Sequence, residues 1–181
     1  MSPSFYSQDE LAGLGLASFG ENVLISRKVS LYNPGEIHIG SHVRIDDFCI
    51  LSGKIRLGSY IHISAYVALY GKFGIELEDY STISGRVLIY SQSDDYSGEY
   101  LTNPMVPESI SNVTGGKVSI GKHVIIAAGS VVLPELSIGE GTAVGAMSLV
   151  KNSLDPWSVY VGTPARRIGD RSKNLLKRLD R

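Results

Sequence analysis

The sequence is most informative at first through what it has little of. Cys49 is its only cysteine among 181 residues, which leaves no disulfide framework and no thiolate cluster for a metal. No apolar run reaches the roughly 18–20 residues that a membrane-crossing helix needs. The first residues, Met-Ser-Pro-Ser-Phe-Tyr-Ser, lack a basic segment followed by an apolar one, so no secretion signal is read there and a cytoplasmic address is expected. Charge of one sign is also missing: 17 Lys and Arg against 18 Asp and Glu leave a net charge of −1, and no nucleic-acid partner is expected. What remains is 43% hydrophobic, which is ordinary for a globular chain and too apolar for a disordered one. The length suits one domain over 1–181.

What is present is a repeat. From Ile39 the chain falls into sixes that open on an aliphatic residue: IGSHVR, IDDFCI, LSGKIR, LGSYIH, ISAYVA, LYGKFG. With Ile75-Glu76 set aside as an insertion, the pattern continues as LEDYST, ISGRVL, IYSQSD, breaks from Asp95 to Ser119, and resumes as IGKHVI through VKNSLD. An amphipathic helix would show spacings of three and four, and a lone strand would alternate; a period of six does neither. It fits a triangular solenoid in which each hexad supplies one short strand and one corner, and three hexads complete a coil. The leading aliphatic residue points inward, and the small fifth residue (Cys49, Ser81, Ser130, Thr142, Ser148) packs near a corner. Stacked coils then bury a core that no single repeat could make. Cys49 belongs to that pattern, and no chemistry is assigned to it.

Both ends of the solenoid need covering. An N-terminal cap is expected over 1–20, with a short capped helix within 7–17. A C-terminal helix is expected over 170–181, started by Asp170 or Ser172 and carrying Leu175, Leu176 and Leu179 on one face. An excursion loop is expected over 95–117. Seven of the 17 basic residues crowd into the last sixteen positions, as a solvated face or an anion-binding rim.

Within residues 118–168, the stretch IGKHVIIAAGSVVLPELSIGEGTAVGAMSLVKNSLDPWSVYVGTPARRI (120–168) resembles the C-terminal part of the hexapeptide-repeat acyltransferases, and the repeat pattern extends the resemblance over residues ~20–170. The long loop is similar to that of the galactoside, maltose and xenobiotic acetyltransferases within that family. The resemblance implies an all-β, left-handed parallel β-helix with a protruding loop, working as a homotrimer whose active sites lie between subunits. Acetyl-CoA is the implied acyl donor, and a carbohydrate or nucleotide-linked sugar on the way to a bacterial surface polysaccharide is the implied acceptor. Its contacts carry over to Ala128, Ala146, Lys151, Asn152, Arg166 and Arg167. Ala128 and Ala146 stand one coil apart, where small side chains let a pantetheine arm approach the backbone. The basic residues suit nucleotide phosphates.

The departure from the family pattern concerns the base. The hexad before the loop ends in histidine in those acetyltransferases, and here IYSQSD ends in Asp94. Imidazole, near ~6.5, serves as a base unaided, whereas a carboxylate near ~3.9 needs a raised pKa to do the same. Asp94 is nevertheless the first candidate, and His62 of a neighbouring subunit is the second, with the carboxylate orienting the imidazole. A neutral amine needs less base assistance than a hydroxyl, so the replacement leans toward an amino-sugar acceptor. Ser64 matches a substrate-contacting asparagine, and Asp95, Tyr96 and Tyr100 in the loop have the character of a sugar site.

Two other classes are weighed. A zinc hydratase on the same fold would need three convergent histidines, and His62 and His123 have no third partner in register, so no metal is expected. A non-catalytic scaffold that keeps coenzyme A binding is the alternative function, because fold alone does not fix activity.

Overall fold

The structure, a computed structural model, describes residues 4–179. Strands of two to ten residues pair in parallel from coil to coil and form three walls around one core. The first wall climbs from Leu24–Ile25 through Val43–Ile45, Ile61–Ile63, Thr82–Ile83, Ile125–Ile126 and Ala143–Val144 to Ser158–Val161. The second contains Ser30–Tyr32, Leu88–Tyr90, Val131–Val132 and Leu149–Val150, together with the first halves of Ile50–Leu57 and Ala68–Leu77. Those two long strands turn the corner into the third wall, which holds Ser18–Phe19, Ile37–Ile39, Val118–Ile120 and Leu136–Ile138.

All fifteen hexad-leading residues, from Ile39 to Val150, are at most 3% exposed, so the period of six is the period of the core. The residue two places before each leader also points inward, because side chains two apart on a strand share a face. Ile37, Val43, Cys49, Ile55 and Ile61 are examples. The fifth position of the hexad is therefore a core position rather than a corner one. Each buried aliphatic side chain contributes about 1.5–3 kcal/mol.

Ser81 occupies one such position, fully buried, and its hydroxyl has no hydrogen-bond partner among the described residues. An orphaned buried polar group costs about 1–3 kcal/mol. Ser81→Ala is expected to stabilise the fold by about 1 kcal/mol, read as a higher midpoint in denaturant; a lower midpoint would show that the hydroxyl is satisfied.

One corner is a ladder of left-handed residues. His42, Tyr60, Tyr80, His123 and Trp157 all have φ between 55 and 60°. Their rings stack from coil to coil, with centroids 4.7 Å apart for His42–Tyr60, 4.8 Å for Tyr60–Tyr80 and 5.2 Å for Tyr80–His123. Ring stacking offsets the backbone cost of a non-glycine residue in this region. Between His123 and Trp157 the corner residue is Gly141, where a Cβ would lie 2.4 Å from the indole; the gap lets Trp157 tilt over His123 at 6.2 Å.

The structure corrects several sequence expectations. The extra residues of the third coil are not Ile75-Glu76. Ile75 is a core residue paired with Ile55, and the additional chain lies just before it, where Lys54 alone stands opposite Lys72, Phe73 and Gly74. The N-terminal helix is confined to Gln8–Ala12, with Ser7 and Glu10 forming a reciprocal capping box. The C-terminal helix expected over 170–181 is absent from the described residues. Arg166–Asp170 is instead a strand antiparallel to Ser158–Val161, followed by a single 3-10 turn at Leu176–Arg178; positions 180–181 lie outside the described residues. Pairing with Ser158–Val161 takes up one edge of Arg166–Asp170. Arg171 then fastens the tail by donating to the carbonyls of His123 and Gly141 at 2.7 and 3.0 Å, with burial lowering its pKa.

Candidate active site

The excursion leaves the second wall one residue past Tyr90 and Ser91, three residues before the predicted start at 95. It is closed at its base by an antiparallel pairing of Gln92–Ser93 with Thr114–Gly115. Asp94 is the first residue beyond that ladder. It lines a cavity of about 330 Å³ with Tyr90, Gln92, Ser93, Tyr96, Val113, Leu133 and Pro134. Burial, with the nearby phenols of Tyr70 and Tyr96, raises the pKa of Tyr90, which keeps its hydroxyl a donor at neutral pH. An exposed carboxylate, phenol groups and an apolar wall of Val113, Leu133 and Pro134 thus share one cavity.

The other loop candidates divide. Tyr96 lines the cavity, but Asp95 is occupied in shaping the loop tip. Its carboxylate accepts from the Ser97 hydroxyl at 2.7 Å and from the backbone N–H groups of Ser97 and Tyr100 at 3.2 Å. The hydrogen bond from the Ser97 side chain leads the effects that hold it below the ordinary carboxylate range. Tyr100 contributes that backbone N–H and is not among the cavity's lining residues.

His62 stands on the first wall and is not among the residues lining the Asp94 cavity. Its Nε2 lies 2.8 Å from Asp46, whose other oxygen accepts from Arg44 at 2.7 Å. Within one chain, the carboxylate that orients His62 is therefore Asp46. Burial opposes ionisation of Asp46, but the His62 and Arg44 hydrogen bonds outweigh it and lower its pKa. A carboxylate with a lowered folded pKa adds stability above its unfolded value, near ~4, and that stability is lost as pH falls through the folded value. Asp46→Asn is expected to flatten the decline in stability below about pH 4, measured by urea unfolding at pH 3–6. An unchanged acid limb would show that the carboxylate is not coupled to folding.

Ser64 follows the first-wall strand that carries His62, and its N–H donates to Ile83. One coil higher, Ser84 repeats that geometry by donating to Ile126. Sequence reasoning named Ser64 and passed over Ser84, although the register that singled out the first leads to the second. The same corner continues upward through Ala128 and Ala146, both exposed and stacked, with Met147 N–H donating to the Ala128 carbonyl at 2.9 Å. Lys151 and Asn152 are exposed just past Leu149–Val150, at the next corner. Arg166 is exposed on the returning strand, whereas Arg167 is held by Ser158 and Asp170. A cis Thr163–Pro164 bond lies within the reversal, and the Thr163 hydroxyl donates to the Met147 carbonyl. Cys49 donates to the Ser64 carbonyl, and burial lifts its thiol to about 11. It is inert packing.

Comparison with known proteins places these features. No family model matches the chain. An Escherichia coli dTDP-4-amino-4,6-dideoxy-D-glucose acyltransferase is 47% identical over 177 residues, covering 96% of this chain and 92% of that one. The chain belongs to the dTDP-sugar N-acyltransferases of the hexapeptide-repeat fold. An N-acyltransferase from Bacillus cereus, solved in complex with dTDP-4-amino-4,6-dideoxyglucose and coenzyme A, is 54% identical and superposes with a TM-score of 0.96 over 99% of this chain and 97% of that one. The same protein has been solved with dTDP and 3-hydroxybutyryl-CoA, and in variants altered at its serine 84 and aspartate 94. This acyltransferase carries Ser84 and Asp94 under the same numbers. A hexapeptide-repeat acetyltransferase from Vibrio cholerae, 18% identical with a TM-score of 0.65 over 92% of this chain and 79% of that one, shares the fold. The solenoid is accordingly the left-handed β-helix.

Proposed function

We propose that this acyltransferase moves an acyl group from coenzyme A to the amino group of a dTDP-linked amino-deoxy sugar, with Asp94 as the base. The carrying observation is Asp94 in the lining of a partly apolar cavity, in a chain 54% identical to an enzyme solved with that sugar and coenzyme A. The free amine attacks the thioester carbonyl, Asp94 accepts the proton that the nitrogen sheds, and the thiolate of coenzyme A departs. No covalent enzyme intermediate is needed. We assign the narrow strip for pantetheine to Ala128 and Ala146, and the contacts to its phosphates to Lys151, Asn152 and Arg166. Ser84, beside that strip, is a candidate donor to the reacting groups.

The working unit we propose is a homotrimer. Outward residues of the third wall are polar, as at His38, Arg56, Glu76, Ser119 and Ser137. In its upper coils the first wall presents Ile125, Ala143 and Val159, above Arg44, His62 and Thr82, and the second presents Ile50, Leu88, Val131 and Leu149. Two different walls with apolar stretches meeting at one corner suit a heterologous contact, which closes into a ring when three copies turn about an axis. That closure brings the Asp94 loop of one subunit toward the Ser84–Ala128 corner of the next, where His62 also stands on the same wall. Asp94 paired with a neighbour's His62 is the second version of the base. Polysaccharide assembly in the cytoplasm, where activated sugars and acyl-CoA coexist, is the setting we propose.

The test is subunit complementation. Asp94→Asn and Ala146→Trp, each inactive alone in a thiol-release assay with acetyl- or 3-hydroxybutyryl-CoA, should regain activity when unfolded and refolded together. Sedimentation should give three chains. Absence of recovery in mixed trimers would place base and coenzyme strip in one subunit.

A further inference from the structure

Two departures from the regular coil occur on neighbouring turns at the same corner. In one coil the strand Ala68–Leu77 carries the extra residues opposite Lys54. In the next coil the chain leaves altogether between Ser91 and Val118, which resumes the register on Ile75. Ser91 joins them. It is fully buried, and every polar group it has is used. Its hydroxyl accepts from the Phe73 N–H and donates to the Tyr70 carbonyl, both at 2.9 Å. Its own N–H donates to that same Tyr70 carbonyl at 2.9 Å. Its carbonyl accepts from the Gly116 N–H at 3.1 Å, on the returning arm of the excursion.

We propose that Ser91 is a positioning residue for Asp94, and the proposal rests on the reading of Asp94 as the base. The bulge turns the Phe73 N–H away from the coil ladder, and the Ser91 hydroxyl takes up that donor. This ties the departing arm to the coil beneath. Gly116 ties the returning arm to the same residue, and Gln92–Ser93 and Thr114–Gly115 zip together immediately above. Gly115 is required there: a Cβ would lie 2.2 Å from the Ser91 carbonyl oxygen. Asp94 is thus the first residue after a clamp made of one buried hydroxyl and a two-residue ladder. An excursion of some twenty residues could otherwise sweep its carboxylate through several ångströms, and a 1 Å misplacement is enough to cost on the order of 100-fold in rate.

Steady-state kinetics of Ser91→Ala, Asp94→Asn and the double variant, with dTDP-4-amino-4,6-dideoxyglucose and acyl-CoA, test this. Ser91→Ala is expected to lower kcat by about 10- to 100-fold while KM for acyl-CoA stays within about twofold. In the Asp94→Asn background the same change should cost no more than about twofold, because the group it positions is already gone. Ser91→Ala at near-wild-type kcat, or losses that multiply in the double variant, would overturn the proposal. Asp94→Asn at full rate would instead overturn the reading of Asp94 itself. If Ser91→Ala does not fold, Gly115→Ala disturbs the ladder while leaving the hydroxyl in place. It should show the same kcat loss and the same non-additivity with Asp94→Asn, and full activity in that variant would equally overturn the clamp.

Discussion

Asp94→Asn should lower kcat by about 100- to 10,000-fold, the range general base catalysis supplies. The substitution keeps shape and hydrogen bonding but removes the proton acceptor. KM for acyl-CoA should hardly move, since the cavity at Asp94 and the Ala128–Ala146 strip are built from different parts of the coil. Equal falls in kcat and kcat/KM for the amino sugar would mark an interaction made only in the transition state. A rise in KM alone, with kcat intact, would make Asp94 a binding group. His62→Ala in parallel decides between the two versions of the base. A loss as large as that of Asp94→Asn would favour the cross-subunit pair, whereas near-normal kcat would leave His62 as the partner of Asp46 and Arg44.

The second large effect concerns stability. Ile126→Ala should cost about 2–5 kcal/mol, as deletion of a buried branched side chain does. Ile126 is fully buried and stacked between Ile83 below and Val144 above. That position is a seam, because the excursion separates Ile83 from Ile126 in sequence and only parallel pairing rejoins them. In a solenoid each coil is supported by its immediate neighbours, so a defect at the seam should uncouple the upper coils from the lower. Denaturant unfolding should show a lower midpoint, or two transitions where the parent shows one. Ser137→Ala, facing outward on the third wall, is the control and should stay within about 0.5 kcal/mol.

The period of six exposed the core because burial follows it: a residue leading a hexad has no other role in a triangular coil. The same reasoning misplaced the insertion. Ile75 looks supernumerary in a string of hexads, yet it is the residue its neighbours Ile55 and Val118 pair with, and the added chain at Lys72-Phe73 is exposed as a corner is. The C-terminal leucines suggested a helix, but the fate of that segment is decided by a distant partner, the edge of the strand Ser158–Val161, which no local pattern announces. Of the residues we propose at the site, Asp94 was legible as a substitution within a known pattern, and its carboxylate chemistry pointed toward an amine. Ser91 was not, since a serine ending a hydrophobic strand looks like any other small core residue until its hydroxyl is seen to hold Phe73 and Tyr70.

The central claim is amide formation on an amino sugar. It is tested most directly by mass and lability of the product made from dTDP-4-amino-4,6-dideoxyglucose and acyl-CoA by the purified protein. The account predicts one added acyl group, stable to hydroxylamine, with stoichiometric thiol release and no product from the 4-hydroxy analogue. A hydroxylamine-labile ester, or acylation of the 4-hydroxy sugar at a comparable rate, would contradict it.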